Sequence, residues 1–177
     1  MKGVFWKEGE SFTSSMSLIV SLLIRYPEIA TLKLIPEEQI FQFGFIFRRK
    51  FTLEEKKAFQ EELGHSLMAL AEINRYQPQI MKFNFKRLKN MSFLEVKRDI
   101  ASLSQEEISL ITRIITHKYG DAIISDAEDY MGEEELIFQE EMIDHMLEDI
   151  KETQQEKELI GIREDGRVML FNHSDSP

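Results

Sequence analysis

Residues 39–49 read QIFQFGFIFRR, and the fold is decided there. Phe41, Phe43, Phe45 and Phe47 recur at every second position, and a period of two sends successive side chains to opposite faces of a strand. The four rings therefore share one face, while Gln42, Gly44, Ile46 and Arg48 share the other. Upstream, Ala30–Ile35 is a shorter apolar run, joined through Pro36-Glu37-Glu38. Proline followed by polar residues predicts a turn, so the two runs read as a hairpin with a wall of phenylalanine.

Such a wall needs a cover. Thr52-Leu53-Glu54-Glu55 has the form of a capping box, in which a threonine oxygen and a glutamate carboxylate satisfy orphan amides at a helix start. Phe59, Leu63, Leu67, Leu70 and then Ile73 or Asn74 follow at the spacing of one helical face, so helix 53–75 is the expected partner of the rings. Beyond Pro78, Met81, Phe83 and Phe85 alternate with Lys82, Asn84 and Lys86 over residues 79–88, the pattern of a strand with one wet face. Lys89-Asn90 turns the chain into a partner strand over 92–100. Ser104-Gln105-Glu106-Glu107 is a second capping box, with Leu103 and Ile108 placed for a hydrophobic staple. The helix it opens, 104–119, carries Ile108, Ile111 and Ile115 and stops at Gly120. Ahead of all these, residues 11–25 are apolar nearly all round, which suits a helix buried on most sides or a pair of turns packed under a sheet, ended by Pro27.

Residues 121–130 read equally as a short strand at Ala122-Ile123-Ile124 or as a loop. An acidic amphipathic helix follows over 132–153, its narrow seam formed by Leu136, Ile143, Met146, Leu147 and Ile150. Asp165-Gly166 then marks a hairpin over 158–171, in which Ile160 and Ile162 face Phe171 and Met169, and Glu164 opposes Arg167. The predicted class is α+β: an antiparallel sheet with helices packed on one face, plus an acidic C-terminal helix and a terminal β-hairpin. We divide it into a core domain, 1–120, and an extension, 121–177, packed on the core or on a second subunit.

The composition narrows the chemistry. The chain has 177 residues, 42% of them hydrophobic, and no cysteine, which excludes disulfides, thiolate nucleophiles and thiolate metal sites. The longest apolar run, Met16–Ile24, is far below the roughly 18–20 residues of a membrane span, so a cytoplasmic protein with no membrane partner is expected. Residues 1–100 hold 16 Lys and Arg against 12 Asp and Glu, whereas residues 101–177 hold 6 against 20. Halves of opposed charge favour packing together or pairing between copies, although exposed pairs contribute little each. The 8 glycines are not grouped, which argues against phosphate-cradling loops and dinucleotide fingerprints.

Three constellations remain. Phe43-Gly44-Phe45-Ile46 overlaps four positions of the aromatic signature strand of RNA recognition motifs, where exposed rings stack on bases. That pattern takes a cation and then glycine where this chain has Phe41-Gln42, and an aromatic where it has Arg48. Arg48, Arg49 and Lys50, with Lys82, Lys86, Arg87 and Lys89, form a basic set suited to phosphates if the two strands lie side by side. Glu62 with His65, and Glu141 with His145, have the helical spacing of metal-ligand pairs, but a di-metal bundle needs two Glu-x-x-His motifs and this chain has one. The four histidines are scattered, and His117 near a helix C-terminus is explained by the helix dipole.

The leading expectation is a non-catalytic adaptor or regulatory protein, without cofactor. It would act through protein–protein contact with another protein or a second copy of itself, using Leu136, Glu140, Ile143, Asp144, Met146, Leu147 and Ile150. The alternatives are an RNA- or nucleotide-binding module using the basic strands 43–50 and 81–89, and a metal-dependent hydrolase.

Overall fold

The computed structural model describes residues 4–5, 13–126, 132–155 and 157–172. Its elements run β1 (Val4–Phe5), α1 (Ser14–Arg25), β2 (Thr31–Ile35), β3 (Ile40–Phe47), α2 (Leu53–Ile73), β4 (Met81–Leu88), β5 (Met91–Asp99), α3 (Gln105–Tyr119), α4 (Glu133–Glu152), β6 (Leu159–Glu164) and β7 (Arg167–Asn172). This is the α+β class. The strands form one sheet in the order β1-β7-β6-β2-β3-β5-β4; β1 runs parallel to β7, and every other neighbour is antiparallel.

Register carries the ring stripe across the sheet. Phe43 lies opposite Leu32 and Val96, Leu32 opposite Gly161, and Val96 opposite Phe83, so all of these side chains share one face. Helices seal that face. Phe59 of α2 meets the Phe85 ring edge-on at 6.3 Å, and Tyr119 at the end of α3 does the same to Phe47 at 5.8 Å. At Gly161 an added Cβ would lie 2.5 Å from Ile19 and 2.7 Å from Leu23, so only glycine lets α1 settle this closely on β6. Phe41, Phe43, Phe45 and Phe47 are all buried. On the opposite face, the Phe93 ring lies over Gly44, filling the gap that a missing side chain leaves on a strand.

The local signals hold in most places. Thr52 and Glu55 complete their capping box, and Asp165 and Gly166 take the positive φ values of 49° and 73° that the two-residue turn requires. Ile160 pairs with Phe171, Ile162 with Met169, and Glu164 with Arg167. Three expectations change. On α2 the buried stripe is Phe59, Leu63, Leu67 and Ala71; Leu70 is half-buried and Ile73 exposed, because steps of four keep one line under the sheet. In the segment after α3, the described residues 121–126 form a single bridge, Ile123 to Phe47, and residues 127–130 lie outside the described residues. Finally, the two basic strands do not adjoin, because β5 pairs with both β3 and β4 and lies between them.

At Ser104 only half of the predicted capping box forms. The serine oxygen accepts from the Glu107 amide at 3.1 Å, but the Glu107 carboxylate turns inward to Arg98. That arginine is fully buried, and all five of its N–H donors are used. Nε and Nη2 donate to Glu107 at 2.6 and 2.9 Å, Nη2 to Ser102 at 2.9 Å, and Nη1 to the Ile80 carbonyl at 2.7 Å and to Asp99. Glu107 also accepts from Tyr76 at 2.9 Å, and Asp99 from the Gln79 and Ile80 amides at 3.0 and 2.9 Å. Burial works against the guanidinium charge, yet Glu107 and Asp99 offset it and its pKa rises. Removing one member of a buried pair strands the other. Arg98→Met should therefore cost about 3–5 kcal/mol in urea unfolding, and Arg98→Met with Glu107→Leu should recover part of that loss; equal losses in the single and double variants would contradict this account.

Candidate functional site

The acidic helix does not stand free. Ile143, Leu147 and Ile150 are buried, with Leu136 and Met146 half-buried beside them, and α4 packs on α1 and α3. Glu140 is half-buried because it pairs with Arg25 at 2.6 Å, while Asp144 is exposed. The seam is therefore occupied by the chain's own α1. What α4 presents outward is a second apolar row: Ile137, Phe138 and Met142 are 55%, 62% and 45% exposed. Glu134, Glu141 and Asp149 are exposed on the same side, a large apolar surface among carboxylates.

The basic residues divide differently. Arg49 stacks on the rings of Phe51 and Tyr119 and pairs with Glu55 at 2.8 Å, so it is committed to the fold. Arg48, Lys50, Arg87 and Lys89 are exposed, Lys86 pairs with Glu95, and Lys82 projects from β4. The sheet assembles a row the sequence reading missed. Lys33, Gln42, Lys97 and Lys82 lie directly opposite one another across β2, β3, β5 and β4, on the face away from the helices. Like charges placed opposite across strands repel, and among the described residues these three lysines have no ion-pair partner. The row continues through Ile160 to Phe171, with Ile162 and Met169 in the next register step.

The proposed metal pairs are separated. Glu62 pairs with Lys118, His65 is exposed on α2, and Glu141 and His145 are exposed on α4. Among the described residues no three His, Asp or Glu side chains lie close enough to hold a metal ion.

A polar groove of about 520 Å³ opens where α1, α3 and α4 meet. Its floor is one stripe of α3, namely Ser109, Thr112, Arg113, Thr116 and His117, opposite the isoleucine stripe that faces the core. Arg25, Tyr26 and Glu28 come from the end of α1 and the turn after it, and Glu140 comes from α4. The Tyr26 hydroxyl accepts from Gln105 at 2.7 Å, and burial pushes its pKa up. Arg25 lies 4.8 Å from the centre of the Tyr26 ring, and its Nε is buried without an acceptor. Thr112 spends its hydroxyl proton on the Ser109 carbonyl at 2.9 Å. Arg113, Thr116 and His117 have no hydrogen-bond or ion-pair partner among the described residues. Sequence patterning could not assemble this groove, because its walls are about 80 and 115 residues apart along the chain.

Comparison with protein-family models, curated proteins and solved structures finds no match for this chain.

Burial is the largest influence on Glu28, and it raises the carboxyl above its ordinary value despite Arg25 and Arg163 nearby. A raised acid holds its proton longer in the folded chain, so stability falls as pH rises from the unfolded value near 4.5 through the folded one. Glu28→Gln removes that loss. Its melting temperature should match the parent's near pH 4 and exceed it at pH 7; an identical difference at both values would mean Glu28 is not the titrating group.

Proposed function

We propose that the protein is a non-catalytic adaptor or regulatory protein that works by docking its acidic C-terminal helix on a cationic, partly apolar surface. The first such surface is the open sheet face of a second copy. The observation that carries the reading is the outward row Ile137, Phe138 and Met142, which the helix does not need for its own packing. Burying three such side chains offers about 1.5–3 kcal/mol each in gross transfer free energy. The carboxylates around them select against acidic partners, since like charges across an interface are costly.

The open sheet face has the matching chemistry. Among the described residues Lys33, Lys97 and Lys82 have no ion-pair partner, and Ile160, Ile162, Met169 and Phe171 form an apolar strip beside them. Helix row and sheet row are different surfaces of one molecule, so pairing them is head to tail and yields a ring or a growing chain rather than a two-fold dimer.

Two crippled chains test this. A Phe138→Asp, Met142→Asp chain keeps its sheet face, and a Lys33→Glu, Lys97→Glu chain keeps its helix row. Each should sediment alone as a monomer at about 100 μM, and the mixture should form a 1:1 dimer that salt dissociates. The parent chain should form larger species at the same concentration. A parent that stays monomeric, or a mixture that does not pair, would sink self-association. A monomer that instead binds a single-stranded oligonucleotide, lost on Lys97→Glu, would assign the face to nucleic acid.

A further inference from the structure

We infer that the groove between α1, α3 and α4 is a binding site for a phosphate group, held by Arg113, Thr116 and His117 of α3 together with Arg25 of α1. Three observations converge. Positions 113, 116 and 117 stand at i, i+3 and i+4 on one face of α3, and a guanidinium, a hydroxyl and an imidazole at that spacing point donors at one place. Among the described residues, none of the three has a partner. Arg25, on the facing wall, has its Nε buried without an acceptor, and buried donors left unmet are costly enough that a native site usually meets them.

The chain holds 32 Asp and Glu against 22 Lys and Arg, yet the groove-facing stripe of α3 carries no carboxylate. A planar guanidinium suits phosphate in particular, because it offers paired donors matched to two oxygens. The groove's volume, about 520 Å³, lies within the range of small-molecule sites and exceeds what phosphate alone fills. Glu28 lines the same groove, and a carboxylate accepts from hydroxyl groups, so the class favoured is a small phosphate monoester with a polyhydroxyl body.

Glu140 makes the site selective in a testable way. Its carboxylate already holds Arg25 at 2.6 Å, so phosphate must displace it to gain that guanidinium. Removing the competitor should strengthen binding, whereas removing a donor should weaken it.

The experiment is calorimetric titration of the full chain with ribose 5-phosphate, inorganic phosphate and ribose, at ionic strength fixed with sodium chloride. Ribose 5-phosphate should bind saturably, inorganic phosphate more weakly, and ribose not at all. Arg113 is exposed and has no partner among the described residues, so Arg113→Ala should fold as the parent does and bind roughly tenfold more weakly. Glu140→Gln should bind several-fold more tightly. Binding of inorganic phosphate as strong as that of the ester would keep the phosphate site and remove the polyhydroxyl body. No saturation by about 10 mM of either phosphate, equal binding of ribose, or affinities unchanged in both variants would overturn the site.

Discussion

One buried cation organises half of the molecule. Arg98 sits on the ring face of β5 with no exposure, where an unpaired guanidinium would cost several kcal/mol. Its five donors accept that position only because five acceptors arrive from four places: the Ile80 carbonyl, Asp99, Ser102 and both oxygens of Glu107. Each acceptor fixes the segment that bears it. The start of β4, the turn after β5 and the first turn of α3 are thereby bound to one point. Because Glu107 is pinned, the rotation of α3 about its axis is set. Its isoleucines go to the core, and the stripe 109–117 is left facing the groove.

Charge in this protein is sorted by layer. The basic half of the sequence supplies the central and outer strands, and three of its lysines line the sheet face away from the helices. The acidic half supplies α4, which rests on α1 and so forms a third layer on the other side. The opposed charges of the two halves do not pair α4 with the lysine row within one chain; α4 is held instead by Ile143, Leu147 and Ile150. Attraction between solvated charges is small beside the burial of three aliphatic side chains.

Much of the fold was legible because it is written in periodicity. The period-two phenylalanines, the Thr52 cap, the Asp165-Gly166 turn and the register of the last hairpin are local facts, and each appears where the pattern puts it. Periodicity names a face without naming what lies beside it. Hence β5 came between the two basic strands unannounced, and the cross-strand row of Lys33, Gln42, Lys97 and Lys82 was invisible. On α4, one helix carries two apolar rows, and a search for a single seam finds only the one that faces α1. The groove draws on residues 25–28, 109–117 and 140, three stretches with no motif among them. Glu107 was read as a cap partner because the local pattern is identical; only Arg98, nine residues upstream, reveals where its carboxylate goes.

The placement of β6 has a consequence for biosynthesis. β2 lies between β3 and β6, so residues 31–35 obtain their second neighbour from residues 159–164, made much later in synthesis. While the protein is being made, β2 must wait on the ribosome with one rank of amides and carbonyls open, an invitation to pair wrongly with other nascent chains. That side of the sheet closes only once residue 164 has been made.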